Sequence, residues 1–240
     1  MPPIIALDYP TLTDATALLA RFASSTPLVV KIGMELYYGN GPAALARLQA
    51  VHPVQIFLDL KLHDIPHTVE RAAFQLGRLG VQLTTAHAAG GLAMLQAANR
   101  GLAAGAAEAG LPAPKLLAIT QLTSTSQSML NTQLQIPGSV AASVQHLAAI
   151  AQAAGCAGVV ASAREVPLIR AVTKPEFLIV TPGIRPTPVA DDQVRVTTPA
   201  QAKALGANAI VVGRPITQAV DPVAAYDEIC RAWLGEKEDS

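Results

Sequence analysis

Along this chain, short aliphatic runs recur at regular intervals, separated by stretches whose apolar positions follow a helical period. The runs fall at residues 4–8, 28–32, 55–61, 83–87, 115–121, 158–162, 177–181 and 209–213 and read as buried strands. Between them, residues 12–22, 42–51, 67–79, 92–108, 139–154, 199–205 and 222–233 carry Ala and Leu at helical spacing, and 165–172 is a shorter candidate. Strand alternating with helix predicts a parallel sheet. Eight such units in 240 residues predict a (β/α)8 TIM barrel in the α/β class, whose usual length is about 250 residues. An open doubly wound sheet is the alternative. It usually has fewer strands and a glycine-rich loop after the first one, whereas the first turn here is Asp8-Tyr9-Pro10-Thr11. No linker interrupts the pattern, so one domain is expected over residues 1–235, followed by a polar tail, 236–240. The longest irregular stretches, 123–137 and 182–196, both follow a strand, where lids and ligand grips are found.

Polar residues break the aliphatic pattern at the strand ends. Asp8, Lys31, Asp59 with Lys61, His87, Thr120 and Thr181 each close a run, and Gly213-Arg214 closes the last. In a barrel these carboxyl ends form one mouth, the seat of function. The densest segment is Phe57-Leu58-Asp59-Leu60-Lys61-Leu62-His63-Asp64-Ile65-Pro66. Strand alternation puts Asp59 and Lys61 on one face and Leu58 and Leu60 on the other, with Asp64 just beyond the strand. A structural ion pair is the bland alternative. A second acid nearby, in a chain otherwise poor in charge, favours chemistry.

Gly213-Arg214 lies where phosphate is usually held in this architecture. Glycine admits an anion to the backbone N–H, and arginine offers a fork of donors. Arg185 and Gln193, in the preceding long loop, could close over the same anion. The bland reading of Arg214 is a surface residue before a helix. A lone strand-end histidine such as His87 is more often structural than catalytic. His63 and His67 have the spacing of a zinc pair, but Pro66 between them argues against one helical face holding both. Asp59 and Asp64 could instead hold Mg²⁺ together with a phosphate.

Composition narrows the partners. Half the residues, 51%, are hydrophobic, 14% are charged and 4% aromatic, with formal net charge zero. A nucleic-acid surface would need a basic excess, so an anionic ligand must be held locally. Cys156 and Cys230 lack metal-ligand spacing and read as reduced thiols of a cytoplasmic protein. Met1-Pro2-Pro3-Ile4 lacks a basic n-region, so no signal peptide is expected, and no apolar run approaches the roughly 20 residues of a membrane span.

Taken together, several segments resemble the orotidine 5′-monophosphate decarboxylase family over essentially the whole chain. They are Ile5-Ala6-Leu7-Asp8, Val30-Lys31-Ile32-Gly33-Met34-Glu35, the run from Phe57 to Pro66, His87-Ala88-Ala89-Gly90-Gly91, Thr120-Gln121-Leu122-Thr123-Ser124, Thr181-Pro182-Gly183-Ile184-Arg185 and Val211-Val212-Gly213-Arg214-Pro215-Ile216. The Asp-x-Lys-x-x-Asp core is shared with related sugar-phosphate enzymes; its extension through His63-Asp64-Ile65-Pro66 is specific. The resemblance implies a barrel homodimer with sites at the subunit interface. It implies conversion of orotidine 5′-monophosphate to uridine 5′-monophosphate and CO₂ in pyrimidine synthesis, without metal or organic cofactor. The implied charged network is Lys31, Asp59, Lys61 and, from the partner subunit, Asp64, with Lys61 as proton donor. Asp8 and Lys31 would contact the ribose, and the partner's Ile65 and Thr68 would complete that side. Thr123 would lie in the loop that covers the base, Pro182 would also contact the substrate, and Arg185, Gln193, Gly213 and Arg214 would hold or cover the phosphate. Two other readings stay open on the residues alone. One is a magnesium-dependent sugar-phosphate enzyme using Glu35 or Asp59 as ligands. The other is a noncatalytic nucleotide-binding barrel.

Overall fold

Inward and outward side chains alternate along each aliphatic run, and this alternation sorts them into two cores. The computed structural model describes residues 1–186 and 196–235. In chain order the elements are β1 (Ile4–Ala6), α1 (Leu12–Leu19), β2 (Leu28–Ile32), α2 (Met34–Asn40), α3 (Ala43–Val51), β3 (Val54–Leu62), α4 (Pro66–Gly77), β4 (Leu83–His87) and α5 (Gly91–Ala109). Then follow β5 (Lys115–Ile119), α6 (Val140–Ala153), β6 (Gly158–Val160), α7 (Val166–Arg170), β7 (Leu178–Thr181), α8 (Pro199–Ala204), β8 (Ala209–Val212), α9 (Arg214–Thr217) and α10 (Pro222–Leu234). Neighbouring strands pair in parallel, and β1 pairs with β8, closing the barrel that the sequence predicts. None of the described helices is long and apolar enough to cross a membrane.

The inner core is Ile4, Ala6, Val29, Phe57, Leu83, Leu117, Val180, Ala209 and Val211. The outer core, between strands and helices, holds their sequence neighbours, among them Ile5, Val30, Leu58, Leu116, Ile179 and Ile210. Continuing the inner phase past the last inner apolar residue names the groups at the mouth: Asp8, Lys31, Asp59, Lys61, Thr85, His87, Gln121, Pro182 and Gly213.

Glycines let α4 and α5 pack at backbone contact. A Cβ on Gly77 would lie 2.4 Å from the Leu102 carbonyl oxygen, one on Gly101 2.2 Å from that of Glu70, and one on Gly105 1.9 Å from that of Phe74. Any side chain there would collide with main chain.

Several elements depart from expectation. The helix α2 is absent from the periodic reading because only Leu36 of its residues is buried, and Gly39 interrupts its pattern. The four-residue α9 is too short to show a period. Residues 163–165 form a 3₁₀ turn, boxed by Ser162 and Glu165, ahead of α7. The irregular stretch after β5 contains a π-helical turn at Met129–Gln133. The tail, 236–240, and Gln193 lie outside the described residues.

Candidate active site

The strand β3 changes character where its charges begin. It pairs with β4 as Phe57↔Leu83 and Leu58↔Thr84, but next as Leu62↔Ala86. Four steps on β3 (58 to 62) thus oppose two on β4 (84 to 86), which marks a bulge. Inside it, Lys61 adopts φ +54°. That is the left-handed region, which a lysine enters at a cost of roughly 1–2 kcal/mol. The Lys61 N–H leaves the ladder and donates to the Thr85 hydroxyl at 2.9 Å. That hydroxyl donates to Asp59 Oδ1 at 2.8 Å, and Lys61 Nζ donates to Asp59 Oδ2 at 2.8 Å. Asp59 is 8% exposed. Its charge is tolerable there because both oxygens are bonded and one partner is a cation. Asp59 and Lys61 do share a face, as alternation predicts, but through a bulge rather than a regular strand.

Lys31 lies beside this pair and donates from Nζ to Asp8 Oδ1 at 2.8 Å. Of the cavities that open from here, two adjoin through shared walls. One, of about 160 Å³, has Lys31, Asp59 and Lys61 facing apolar Phe57, Ile119 and Val160, with Thr123 and Pro182 at its rim. The other, of about 510 Å³, is lined by Asp8, Tyr9, Arg185, Gly213 and Arg214. Lys31, Pro182 and Val211 line both. The first suits a flat ring with a polar edge, and the second an anion. Arg185 is buried, with Nη1 donating to the Ile184 carbonyl at 3.1 Å. Gly183, in the turn before it, has φ +79°, a conformation that favours glycine. The Tyr9 hydroxyl donates to the Thr217 carbonyl at 3.0 Å, and burial raises its pKa.

The His87 and His63 rings meet at a tilt of 36°, with ring centres 5.3 Å apart. Burial, then His63 and Lys61, lowers the His87 pKa, while Asp59 opposes them. A neutral His87 is therefore favoured, which fits a structural imidazole at the edge of the cluster.

The predicted residues fall into three groups. Lys31, Asp59, Lys61, Thr123 and Pro182 meet in the smaller cavity, and Asp8, Arg185, Gly213 and Arg214 in the larger. Asp64, Ile65 and Thr68 are exposed and line neither cavity. Asp64 Oδ1 accepts the Ile65 N–H at 2.6 Å. Asp59 lines the smaller cavity with its oxygens held by Thr85 and Lys61, whereas Asp64 lies outside it. Two strand-end threonines need correction. Thr120 and Thr181 are one step out of the inner phase and line neither cavity; their hydroxyls donate to the Val160 and Ala209 carbonyls, each at 3.3 Å. Gln121 takes the place on β5's inner phase, and its amide donates to Ser143 Oγ at 3.0 Å, tying down the loop that carries Thr123. Sequence reasoning missed Thr85. Its signal was the shared phase with His87 on β4.

Residues 1–229 match the model of the orotidine 5′-phosphate decarboxylase / HUMPS family. Orotidine 5′-phosphate decarboxylase of Lactiplantibacillus plantarum is 56% identical over 233 residues, 97% of this chain and 98% of that protein. The enzyme of that name from Geobacillus thermodenitrificans is 51% identical over 238 residues, covering 98% and 97%. The crystal structure of orotidine 5′-phosphate decarboxylase from Lactobacillus acidophilus superposes with a TM-score of 0.87 at 42% identity, covering 97% of this chain and 98% of that one.

Proposed function

The chain belongs to the orotidine 5′-phosphate decarboxylase family, and we propose that it converts orotidine 5′-monophosphate to uridine 5′-monophosphate and CO₂, with Lys61 as the proton donor. The observation that carries this reading is the placement of Lys61 and Asp59 at the wall of a mostly apolar cavity that adjoins an arginine-lined one. A nucleotide monophosphate has this division: a flat base at one end and a dianion at the other.

Breaking the bond between C6 and the carboxylate leaves the electron pair in the ring plane, where the π system cannot spread it. Enzymes lower barriers by roughly 8–23 kcal/mol, and a fixed cation beside C6 addresses the charge directly. The Lys61 ammonium stabilises the developing carbanion and then gives it a proton. The neutral amine left behind regains its proton from water. Asp59 orients Lys61 and faces the substrate carboxylate. Lys31 and Asp8 lie toward the ribose, and Arg185, Gly213 and Arg214 hold the phosphate, with Gln193 of the intervening loop. Binding energy at that remote phosphate orders the site for the reaction at C6.

The exposure of Asp64, Ile65 and Thr68, with Ile65 at 65%, supports a homodimer in which each subunit lends these residues to the other's site. Mixed Asp64→Ala and Lys61→Ala subunits should then recover part of the activity. No recovery despite demonstrated exchange rejects the shared site.

The test of the function is the ultraviolet absorbance of orotidine 5′-monophosphate with purified protein, with and without EDTA, beside Lys61→Ala. Conversion that survives EDTA and is lost in the variant supports the reading. No conversion by folded wild-type protein sinks it, and conversion abolished by EDTA points to a metal-dependent relative.

A further inference from the structure

We infer that Thr85 is the positioning residue of the Asp59–Lys61 pair, a single hydroxyl that fixes both the carboxylate and the backbone from which the ammonium is hung. This rests on the proposed role of that pair in decarboxylation.

The hydrogen positions follow from the chemistry of the groups. A backbone N–H can only donate, so the contact from Lys61 N to Thr85 Oγ1 at 2.9 Å makes the hydroxyl oxygen an acceptor. An ionised carboxylate can only accept, so the contact from Thr85 Oγ1 to Asp59 Oδ1 at 2.8 Å takes the hydroxyl proton. Asp59 Oδ2 is filled by Lys61 Nζ at 2.8 Å. The result is a closed ring: Lys61 amide to Thr85, Thr85 to Asp59, Asp59 to the Lys61 ammonium. Rotation of the carboxylate breaks two of its bonds. Relaxation of the Lys61 backbone out of its left-handed conformation breaks the third.

Thr85 suits this task. It is 0% exposed, so water cannot take over either bond. Its branched Cβ restricts the side-chain torsion, so the hydroxyl is presented from one direction. It also sits on β4 opposite the bulge, the one neighbouring strand that can reach the Lys61 N–H as that group leaves the ladder. The adjacent Thr84 has equal burial but the opposite phase, and its hydroxyl has no partner among the described residues. Threonine in this strand is therefore not enough; the inward position makes the clamp.

The experiment compares Thr85→Val, which keeps the shape and removes the hydroxyl, with Thr85→Ser, which restores it, and with Thr84→Val as a neighbouring control. Turnover of orotidine 5′-monophosphate is measured per site, with sites counted by calorimetric titration of uridine 5′-monophosphate. Thr85→Val should lower kcat by about ten- to a hundredfold, the range expected when catalytic groups lose their placement, with KM and product affinity little changed. Thr85→Ser should recover most of the loss, and Thr84→Val should show none. A purely structural Thr85 would lower the melting temperature and the number of sites while leaving kcat per site at the wild-type value, and that outcome overturns the inference. Inactive wild-type protein instead overturns the functional reading. Should Thr85→Val fail to fold, Thr85→Ala and amide exchange at Lys61 decide the matter. The Lys61 amide should exchange slowly in the wild type, and exchange at the rate of an unprotected peptide amide rejects the clamp.

Discussion

Replacing one helical glycine by alanine should destabilise this protein, and replacing another should stabilise it, with the sign set by what the new methyl group meets. At Gly105 of α5 a Cβ would lie 1.9 Å from the Phe74 carbonyl oxygen of α4, where ordinary contact begins at 3.4 Å. Restoring that contact, from 1.9 to 3.4 Å, separates the helices locally by about 1.5 Å. No rotamer change relieves it, because the obstacle is main chain. The cost therefore belongs near the upper end of overpacking, about 3 kcal/mol. Alanine returns about 1 kcal/mol through its better helix propensity. The net loss is about 2 kcal/mol, and a chain of this size should melt about 4–8 °C lower. Gly39 of α2 is the control: nothing lies within 4 Å of its Cβ position. There only the propensity gain remains, about 0.5–1 kcal/mol, or roughly 2 °C upward. Thermal unfolding followed by circular dichroism reads both. A Gly105→Ala protein that melts at or above the wild-type temperature would refute the backbone-contact account of the α4–α5 seam. The helix α4 starts at Pro66, directly after Asp64 and Ile65, so the seam also anchors the segment that the proposed homodimer would lend to its partner.

Three further outcomes are expected. Thr84→Val removes a buried hydroxyl without a partner among the described residues and should raise stability by about 1 kcal/mol, read as a higher urea midpoint at unchanged slope. Arg214→Ala should cut kcat/KM on the nucleotide about ten- to a hundredfold, the worth of a charged hydrogen bond, while barely changing that on orotidine; equal losses on both would detach Arg214 from the phosphate. Burial pushes the Cys156 thiol up to about 12, well above the ordinary thiol range. The folded state then holds a proton that the unfolded state has released, so stability should be full below about pH 9 and decline as pH rises toward 12. The decline should be shallower in Cys156→Ala when measured by denaturant unfolding across that range.

Much of the architecture was legible because most strands announce themselves twice, once as an aliphatic run and once by a polar residue near the carboxyl end. Val29 and Lys31, or Phe57 and Asp59, show the inner phase directly, and the charged array follows from it. The same rule misfires by one residue when a strand's end is misjudged. Thr120 was counted at the mouth, whereas β5's inner phase runs Leu117, Ile119, Gln121. What packs against a glycine is also silent in sequence: Gly39 and Gly105 look alike along the chain, yet one faces open space and the other a carbonyl oxygen. Ile65 and Thr68, and the lending of Asp64 to a partner's site, rest on resemblance alone, and no feature of the isolated chain draws these three into either cavity.

The least legible feature is the one on which the proposed chemistry turns. An alternating strand puts Asp59 and Lys61 on the same side at any register, but it leaves their side chains running parallel, with no reason for the ammonium to close on its neighbour's carboxylate. The bulge changes this. It adds two residues opposite Thr84 and Ala86, turns Lys61 to φ +54°, and frees its N–H. A freed, buried N–H would cost about 1–3 kcal/mol if left alone, and the left-handed backbone adds to that. Both costs must be offset by interactions fixed elsewhere, and Thr85 supplies them from a different strand, 24 residues along the chain. Local sequence can therefore name the charged residues but not the geometry that joins them. That geometry depends on a neutral hydroxyl brought alongside only when the barrel closes β3 against β4.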